Sequence, residues 1–152
     1  MKCHQARLLL FGVIVGAWST AGCSENAPTA PSPVLVTDTF TGVISPLGSA
    51  SHVFTINYTE GLTEASFAVT SLLTVADATP QTVTIGVGFG SVSLGVCTRS
   101  PSYSNPAVPL NTELSTAGGT FGAGQACVEV YDNPDGPTVT EPLTYTVVVK
   151  HY

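Results

Sequence analysis

The segment VTIGVGFG, residues 83–90, decides the fold class of this chain. Its bulky apolar residues occupy every second position, and glycines occupy the alternate positions from residue 86 onward. A period of two is that of a β-strand with one buried face, whereas an amphipathic helix repeats its apolar residues every three or four positions. The predicted buried face consists of Val83, Ile85, Val87 and Phe89, and the opposite face carries Gly86, Gly88 and Gly90.

The same alternation recurs on both sides of this strand. The other predicted apolar faces are Phe54, Ile56 and Tyr58; Phe67, Val69, Ser71, Leu73 and Val75; Ala126, Val128 and Val130; and Tyr145, Val147 and Val149. Turn-forming residues separate the segments, at 45–48, 79–80, 104–106, 118–119 and 133–136. Short strands at this spacing predict an all-β fold, an antiparallel β-sandwich or jelly roll of about seven to nine strands.

Composition favours a single β-rich domain. Only 9% of the 152 residues are charged, against roughly 25% in ordinary soluble domains. Thr, Ser, Gly, Val and Pro take their place, and the β-branched residues among them favour strands. We expect one sandwich domain over residues 37–152, because about 115 residues suffice for one such core and not for two.

The N-terminus reads as a secretory signal peptide over residues 1–22. Lys2 and Arg7 give a positive start, residues 8–18 form an apolar run, and the small residues 19–22 follow. An uncleaved membrane anchor is the less favoured alternative, because a spanning helix needs about 20 apolar residues.

The end of this leader, Thr20-Ala21-Gly22-Cys23, resembles the bacterial lipobox, although Thr20 stands where Leu is usual. The resemblance implies that Cys23 is acylated and becomes the first residue of the mature lipoprotein. Several acyl chains, at about 0.8 kcal/mol per buried CH₂, anchor a protein without help from basic residues. Ser24 resembles the residue that follows the lipidated Cys in lipoproteins not retained in the inner membrane, which favours an outer-membrane location. The alternative is an ordinary leader that leaves Cys23 as a free thiol.

Residues 23–36 are expected to combine the lipid-bearing Cys with an extended linker rich in Pro and Ser. Pro28, Pro31 and Pro33 disfavour both helix and central strand and favour the polyproline conformation. At about 3.1 Å per residue, such a tether holds the domain up to roughly 40 Å from the lipid headgroups.

The charge balance excludes nucleic acid as a partner. All ten acidic residues follow the leader, but of the four basic residues only Arg99 and Lys150 do, so the mature chain has a formal net charge of −8. Two cations cannot form the basic face that phosphate backbones require. The expected partners are the membrane, through the lipid, and protein or polysaccharide at the cell surface.

The order of the segments resembles the bacterial pre-peptidase C-terminal (PPC-like) domain over residues 39–150. The matching stretches are 41–44 (TGVI), 51–54 (SHVF), 62–72, 118–132 (GGTFGAGQACVEVYD) and 145–149. His52 stands where the family usually has an acidic residue. The resemblance implies a β jelly-roll accessory domain of the kind appended to secreted hydrolases, with adhesive roles.

Cys97 and Cys127 remain as a pair once Cys23 carries lipid. An even pair in an exported protein indicates a disulfide. A metal site is a weaker alternative because only His52 and His151 could supplement the two thiols. Two free thiols are the remaining possibility.

No residue pattern identifies a catalytic site or a cofactor. No serine lies in a G-x-S-x-G turn, and His52 and His151 are expected to be exposed polar residues, the latter in a mobile terminus. Any two carboxylates could still meet in the fold. Two hypotheses therefore stay open: a non-catalytic binding, adhesion or accessory module, which we favour, and a small hydrolase with an unrecognised carboxylate or Ser site.

Two segments are candidate binding sites. Asp132, Asn133 and Asp135 carry the hard oxygen ligands that Ca²⁺ prefers, although the ordinary interpretation is a turn closing two strands. The face of Gly86, Gly88 and Gly90 is a candidate contact surface, because a strand face without side chains lets another backbone or a sugar ring approach closely.

Overall fold

The computed structural model describes residues 33–57, 65–115, 121–135 and 139–152. The predicted leader, Cys23 and the tether up to residue 32 lie outside the described residues, as do Tyr58, Gly118, Gly119 and Gly136. Within the described ranges the chain contains eight strands and no helix, as predicted. The strands are β1 (Val36–Ile44), β2 (Ser49–Ile56), β3 (Ser66–Thr74), β4 (Ile85–Ser93), β5 (Val96–Val108), β6 (Leu114–Ser115), β7 (Gly124–Tyr131) and β8 (Leu143–His151).

The strands form two antiparallel sheets of four, which confirms the predicted sandwich. Sheet 1 has the order β1-β8-β3-β6, and sheet 2 has the order β2-β7-β4-β5. The first strand therefore pairs with the last, the second with the seventh, the third with the sixth and the fourth with the fifth. This is the wrapping of a jelly roll, a long hairpin folded across two sheets. Among the described residues, no helix is long and apolar enough to cross a membrane.

The core lies between the sheets and consists largely of the predicted apolar faces. Val87, Phe89, Val128 and Val130 come from sheet 2, and Tyr145 comes from the centre of sheet 1; each is at most 1% exposed. The ring of Phe89 makes edge-to-face contacts with Phe54 and Phe67, which lie in opposite sheets. The period-two stripes of β4, β7 and β8 are thus confirmed as the inward faces.

The predicted face of β3 is wrong in its second half. Phe67 and Val69 face the core as expected, but the register with β8 shifts between Val69 and Ser71. This bulge rotates the strand, so that Leu72 becomes 2% exposed and Val75, expected to be inward, is 52% exposed. One extra residue in a strand reverses the face of every residue that follows it.

The predicted turn at 104–106 is also wrong, because Ser104, Asn105 and Pro106 lie inside β5. β5 is the edge strand of sheet 2, where a proline removes no ladder hydrogen bond. The turn into β5 is instead Leu94-Gly95, both at positive φ, between two strands that pair as a hairpin.

The segment 133–136 was expected to close a hairpin between the last two long strands. Its neighbours β7 and β8 instead lie in different sheets, so the segment crosses from one sheet to the other. The loop at 45–48 also crosses between the sheets, from β1 to β2, at the same end of the sandwich. Asp132 joins the two crossings: its carboxylate accepts hydrogen bonds from the Leu47 N–H at 2.9 Å and the Val139 N–H at 3.1 Å.

Candidate functional site

The glycine face of β4 is covered by the chain itself, so the prediction that a ligand contacts it directly is wrong. Gly86, Gly88 and Gly90 are all buried. A Cβ at Gly86 would overlap the ring of Tyr131, and one at Gly88 would overlap Oγ of Ser104 and lie 2.8 Å from Cδ of Arg99. The missing side chains therefore make room for side chains of the two neighbouring strands of the same sheet.

Gly90 has a different role, because it lets the start of β5 fold across β4. A Cβ there would overlap the carbonyl oxygen of Thr98, a backbone atom that cannot move independently. This close approach brings Cys97 within 5.9 Å of Cys127 between Cα atoms, and the two form a disulfide. The pairing expected from cysteine parity is thus present in the structure.

The disulfide joins the two strands that carry a cluster of polar side chains. Arg99 follows Cys97 by two residues and Glu129 follows Cys127 by two, so both side chains emerge on the outer face of sheet 2. The guanidinium carbon of Arg99 lies 3.5 Å from the ring centroid of Tyr131, a cation–π contact. Its Nε lies 3.9 Å from Oε2 of Glu129, which is an ion-pair distance and too long for a hydrogen bond.

Burial against this cluster raises the pKa of the Tyr131 phenol, an effect that the positive charge of Arg99 opposes and the negative charge of Glu129 reinforces. The phenol therefore stays protonated at neutral pH and remains a hydrogen-bond donor as well as an acceptor.

The two sheet-crossing loops form a second wall beside this cluster. Together they enclose an open cleft of about 440 Å³. Its lining combines one cation, three carboxylates and an amide with an aromatic ring. The lining residues are Leu47, Gly48, Ser49, Arg99, Glu129, Tyr131, Asp132, Asn133, Pro134 and Asp135. We refer to this depression as the Arg99 cleft.

The calcium candidate Asp132, Asn133 and Asp135 lies at one side of the Arg99 cleft. Both carboxylate oxygens of Asp132 are engaged by backbone N–H groups, and Oδ1 of Asn133 accepts from the Asp135 N–H at 3.3 Å. These contacts are those of a turn. No group of three or more His, Cys, Asp or Glu side chains in the described ranges is placed to hold a metal ion.

Three smaller depressions of about 250 to 290 Å³ surround β6: two lie on sheet 1 beside β3, and the third lies between β6 and the uncharged residues 102–105 of β5. In the two on sheet 1, Lys150 Nζ donates to Glu113 Oε2 at 2.6 Å, and the Ser66 hydroxyl donates to Glu113 Oε1 at 2.6 Å. These hydrogen bonds, with that of Lys150 first, lower the pKa of Glu113. Lys150 and Glu113 are hydrogen-bonded to each other, whereas Arg99 and Glu129 are 3.9 Å apart and can each still bond to a ligand. This difference favours the Arg99 cleft as the functional site.

Both histidines of the domain face inward, His151 buried and His52 half-buried, which corrects the expectation of exposed side chains. Nε2 of His151 lies 2.9 Å from Oδ2 of Asp38, and the side chain is 2% exposed because it continues the inward face of β8 and packs on Phe54 of the other sheet. His52 stacks on Phe40, and its Nε2 contacts the Tyr145 hydroxyl at 2.7 Å. Burial lowers the pKa of His52.

Sequence reasoning missed Arg99, Glu129 and Tyr131 as a group. Arg99 is 30 residues from Glu129, and the bulged pairing of β4 with β5 brings them together. The available signal was that Arg99 is one of only two Lys and Arg residues after the predicted leader and lies two residues from a predicted disulfide. No family model and no curated protein matches this chain.

Proposed function

We propose that this chain is an envelope lipoprotein, anchored through Cys23 to the outer membrane, whose sandwich binds a ligand in the Arg99 cleft. In this proposal the domain is a non-catalytic binding module of the kind that the PPC-like resemblance implies. The single observation that supports binding is the cleft itself: a rigid Arg99–Tyr131 stack beside an open carboxylate on the outer face of sheet 2.

The anchoring part of the proposal is supported by the order of the N-terminal segments. A charged, an apolar and a small-residue stretch precede Cys23, and a proline-rich stretch follows it. β1 begins at Val36, directly after that stretch. This strand is an edge strand of sheet 1.

The binding part is supported by the contacts of the two histidines, the side chains best suited to acid–base catalysis. His52 contacts Tyr145 and His151 contacts Asp38, so both imidazoles are engaged on the inner side of the sheets. The Arg99 cleft lies on an outer face and offers the half-buried Glu129 and the exposed Asp135 as acceptors. An open, charged surface of this kind suits recognition of a polar ligand by hydrogen bonds.

Mass spectrometry of the mature N-terminus tests the anchor. We expect a diacylglyceryl-modified and N-acylated Cys23, and we expect Cys23→Ala to accumulate as the unprocessed precursor. An unmodified Cys23, or cleavage at another position, would contradict the anchor.

Co-sedimentation of a soluble chain that starts at Ser24, and so lacks the lipid-bearing Cys23, with envelope material of the source cell tests the binding site. We expect Glu129→Gln and Asp135→Asn to reduce binding, and Glu113→Gln, which changes the ion pair on sheet 1, to leave it unchanged. Turnover of ester, glycoside or peptide substrates that is lost in Glu129→Gln would overturn the binding interpretation in favour of a hydrolase.

A further inference from the structure

We infer that the Arg99 cleft binds uncharged sugar units of a polysaccharide, by hydrogen bonds to neighbouring hydroxyl groups. This inference rests on the proposed binding function and specifies its ligand. Four features of the described residues carry it: the local charge balance, the unused hydrogen-bonding capacity, the open shape and the rigidity of the walls.

The charge balance disfavours a charged ligand of either sign. Arg99 is the one cation lining the cleft, and Glu129, Asp132 and Asp135 are its three acids. An anion paired with Arg99 would lie among these carboxylates, in a mature protein of net charge −8. A cation paired with Glu129 would lie close to the guanidinium, which is 3.9 Å away. A neutral ligand avoids both penalties.

The hydrogen-bonding groups of the cleft match hydroxyls, which both donate and accept. Glu129 and Asp135 can only accept, and the guanidinium can only donate. The Arg99 side chain is 33% exposed, and because its Nη1 is fully buried, a ligand hydroxyl can reach only the other guanidinium nitrogens. A hydroxyl oxygen that accepts from one of them makes a hydrogen bond to a charged donor, which is stronger than one between neutral groups. Adjacent hydroxyls of one sugar ring can bond to Arg99 and to Glu129 together.

The shape of the cleft suits a unit within a chain. Enclosed pockets for small molecules are mostly apolar and bury most of their ligand. The Arg99 cleft is open at the surface and mainly polar, so a polymer can continue past it on both sides. Its volume of about 440 Å³ lies within the range of ligand sites.

The walls are held in place before any ligand arrives. The disulfide joins β5, two residues before Arg99, to β7, two residues before Glu129. Asp132 accepts hydrogen bonds from both loops of the second wall. Tyr131 lies between the Gly86 backbone and the Arg99 guanidinium. Groups that are already ordered lose little entropy on binding, which makes weak hydrogen bonds to hydroxyls sufficient.

The test uses the mature chain and envelope material separated into a deproteinised polysaccharide fraction and a polysaccharide-free protein fraction. Part of the polysaccharide is carboxyl-reduced, which converts acidic sugars into neutral ones. We expect binding to the polysaccharide, unchanged by carboxyl reduction and by raising the salt concentration, because exposed ionic contacts alone are screened by salt. We expect about tenfold weaker binding in Glu129→Gln, corresponding to the loss of one hydrogen bond to a charged group.

Asp135→Asn provides a second variant that does not depend on the fold, because Asp135 is exposed and its side chain packs on nothing in the core. Glu113→Gln is the matched control and should bind like the wild type. Two results would overturn the sugar inference and leave the proposed function intact, provided that the cleft variants still weaken binding. One is binding that is confined to the protein fraction. The other is binding that carboxyl reduction or high salt abolishes. Binding to neither fraction, or binding indifferent to both cleft variants, would overturn the proposed function as well.

Discussion

The Cys97–Cys127 disulfide should make a large single contribution to the stability of the domain. The two cysteines are 30 residues apart in sequence. For a closed loop of about 30 residues, the chain-entropy relation gives a loss of about 12 cal/mol/K in the unfolded state, or about 3.6 kcal/mol at 25 °C. At roughly 4 °C per kcal/mol for a domain of this size, the bond should raise Tm by about 15 °C.

Thermal unfolding followed by circular dichroism measures this difference. The oxidised soluble chain starting at Ser24 should unfold about 15 °C above the same chain in a phosphine reductant, on the loop-entropy estimate. The variant with Cys97→Ala and Cys127→Ala should match the reduced chain and should not respond to the reductant. Transitions of the oxidised and reduced chains within about 3 °C of each other would refute this reasoning, because the loop entropy would then have no effect on stability.

Three further perturbations follow from the same contacts. Gly90→Ala should lower the free energy of unfolding in denaturant by up to about 3 kcal/mol, because its Cβ overlaps the Thr98 carbonyl. Gly122→Ala, with open space around it, should lower it by almost nothing. Equal effects would contradict the close approach of β5. Asp132→Ala should cost about 3 kcal/mol through two lost backbone hydrogen bonds, and a cost under about 0.5 kcal/mol, typical of surface substitutions, would show that the two loops are not tied. Burial lowers the pKa of His52 from 6.5, so the unfolded chain protonates this imidazole more readily than the folded chain does. His52 should therefore make the domain less stable as the pH falls below 6.5. An NMR titration midpoint of its ring at or above 6.5 would disprove this.

Much of the fold was predictable from the sequence because alternation is a local property. The stripes of β4, β7 and β8 lie in strands that are paired on both sides in the middle of their sheets, where the pattern and the burial coincide. The disulfide was predictable from cysteine parity and the expected export. Neither inference needed knowledge of which strands pair.

The errors arose where pairing decides the outcome. The bulge after Val69 carries no residue type that marks it, yet it reverses the face of β3. Pro106 indicates a turn in isolation, and only its position on an edge strand makes it compatible with β5. His151 is near the C-terminus in sequence, but it lies on the inward face of β8 and packs on Phe54 of the other sheet, so it is buried.

The candidate site depended on pairing even more strongly. The glycines of β4 were correctly recognised as a face that lets other groups approach closely. The approaching groups are Arg99 and Tyr131 from neighbouring strands, and the register that brings them there contains two irregularities between β4 and β5. Irregular registers of this kind follow from the whole set of contacts and not from any single segment.

Chemical-shift mapping tests the central claim most directly, because it locates binding on the protein without substituting a residue. Amide signals of the isotope-labelled mature chain would be recorded while the deproteinised envelope polysaccharide is added. The account predicts shifts confined to the Arg99 cleft, at Gly48, Arg99, Glu129, Tyr131 and Asn133, with the strands of sheet 1 unchanged. Shifts centred on the outer face of sheet 1, or no shifts with saturating polysaccharide and with the envelope protein fraction, would contradict it.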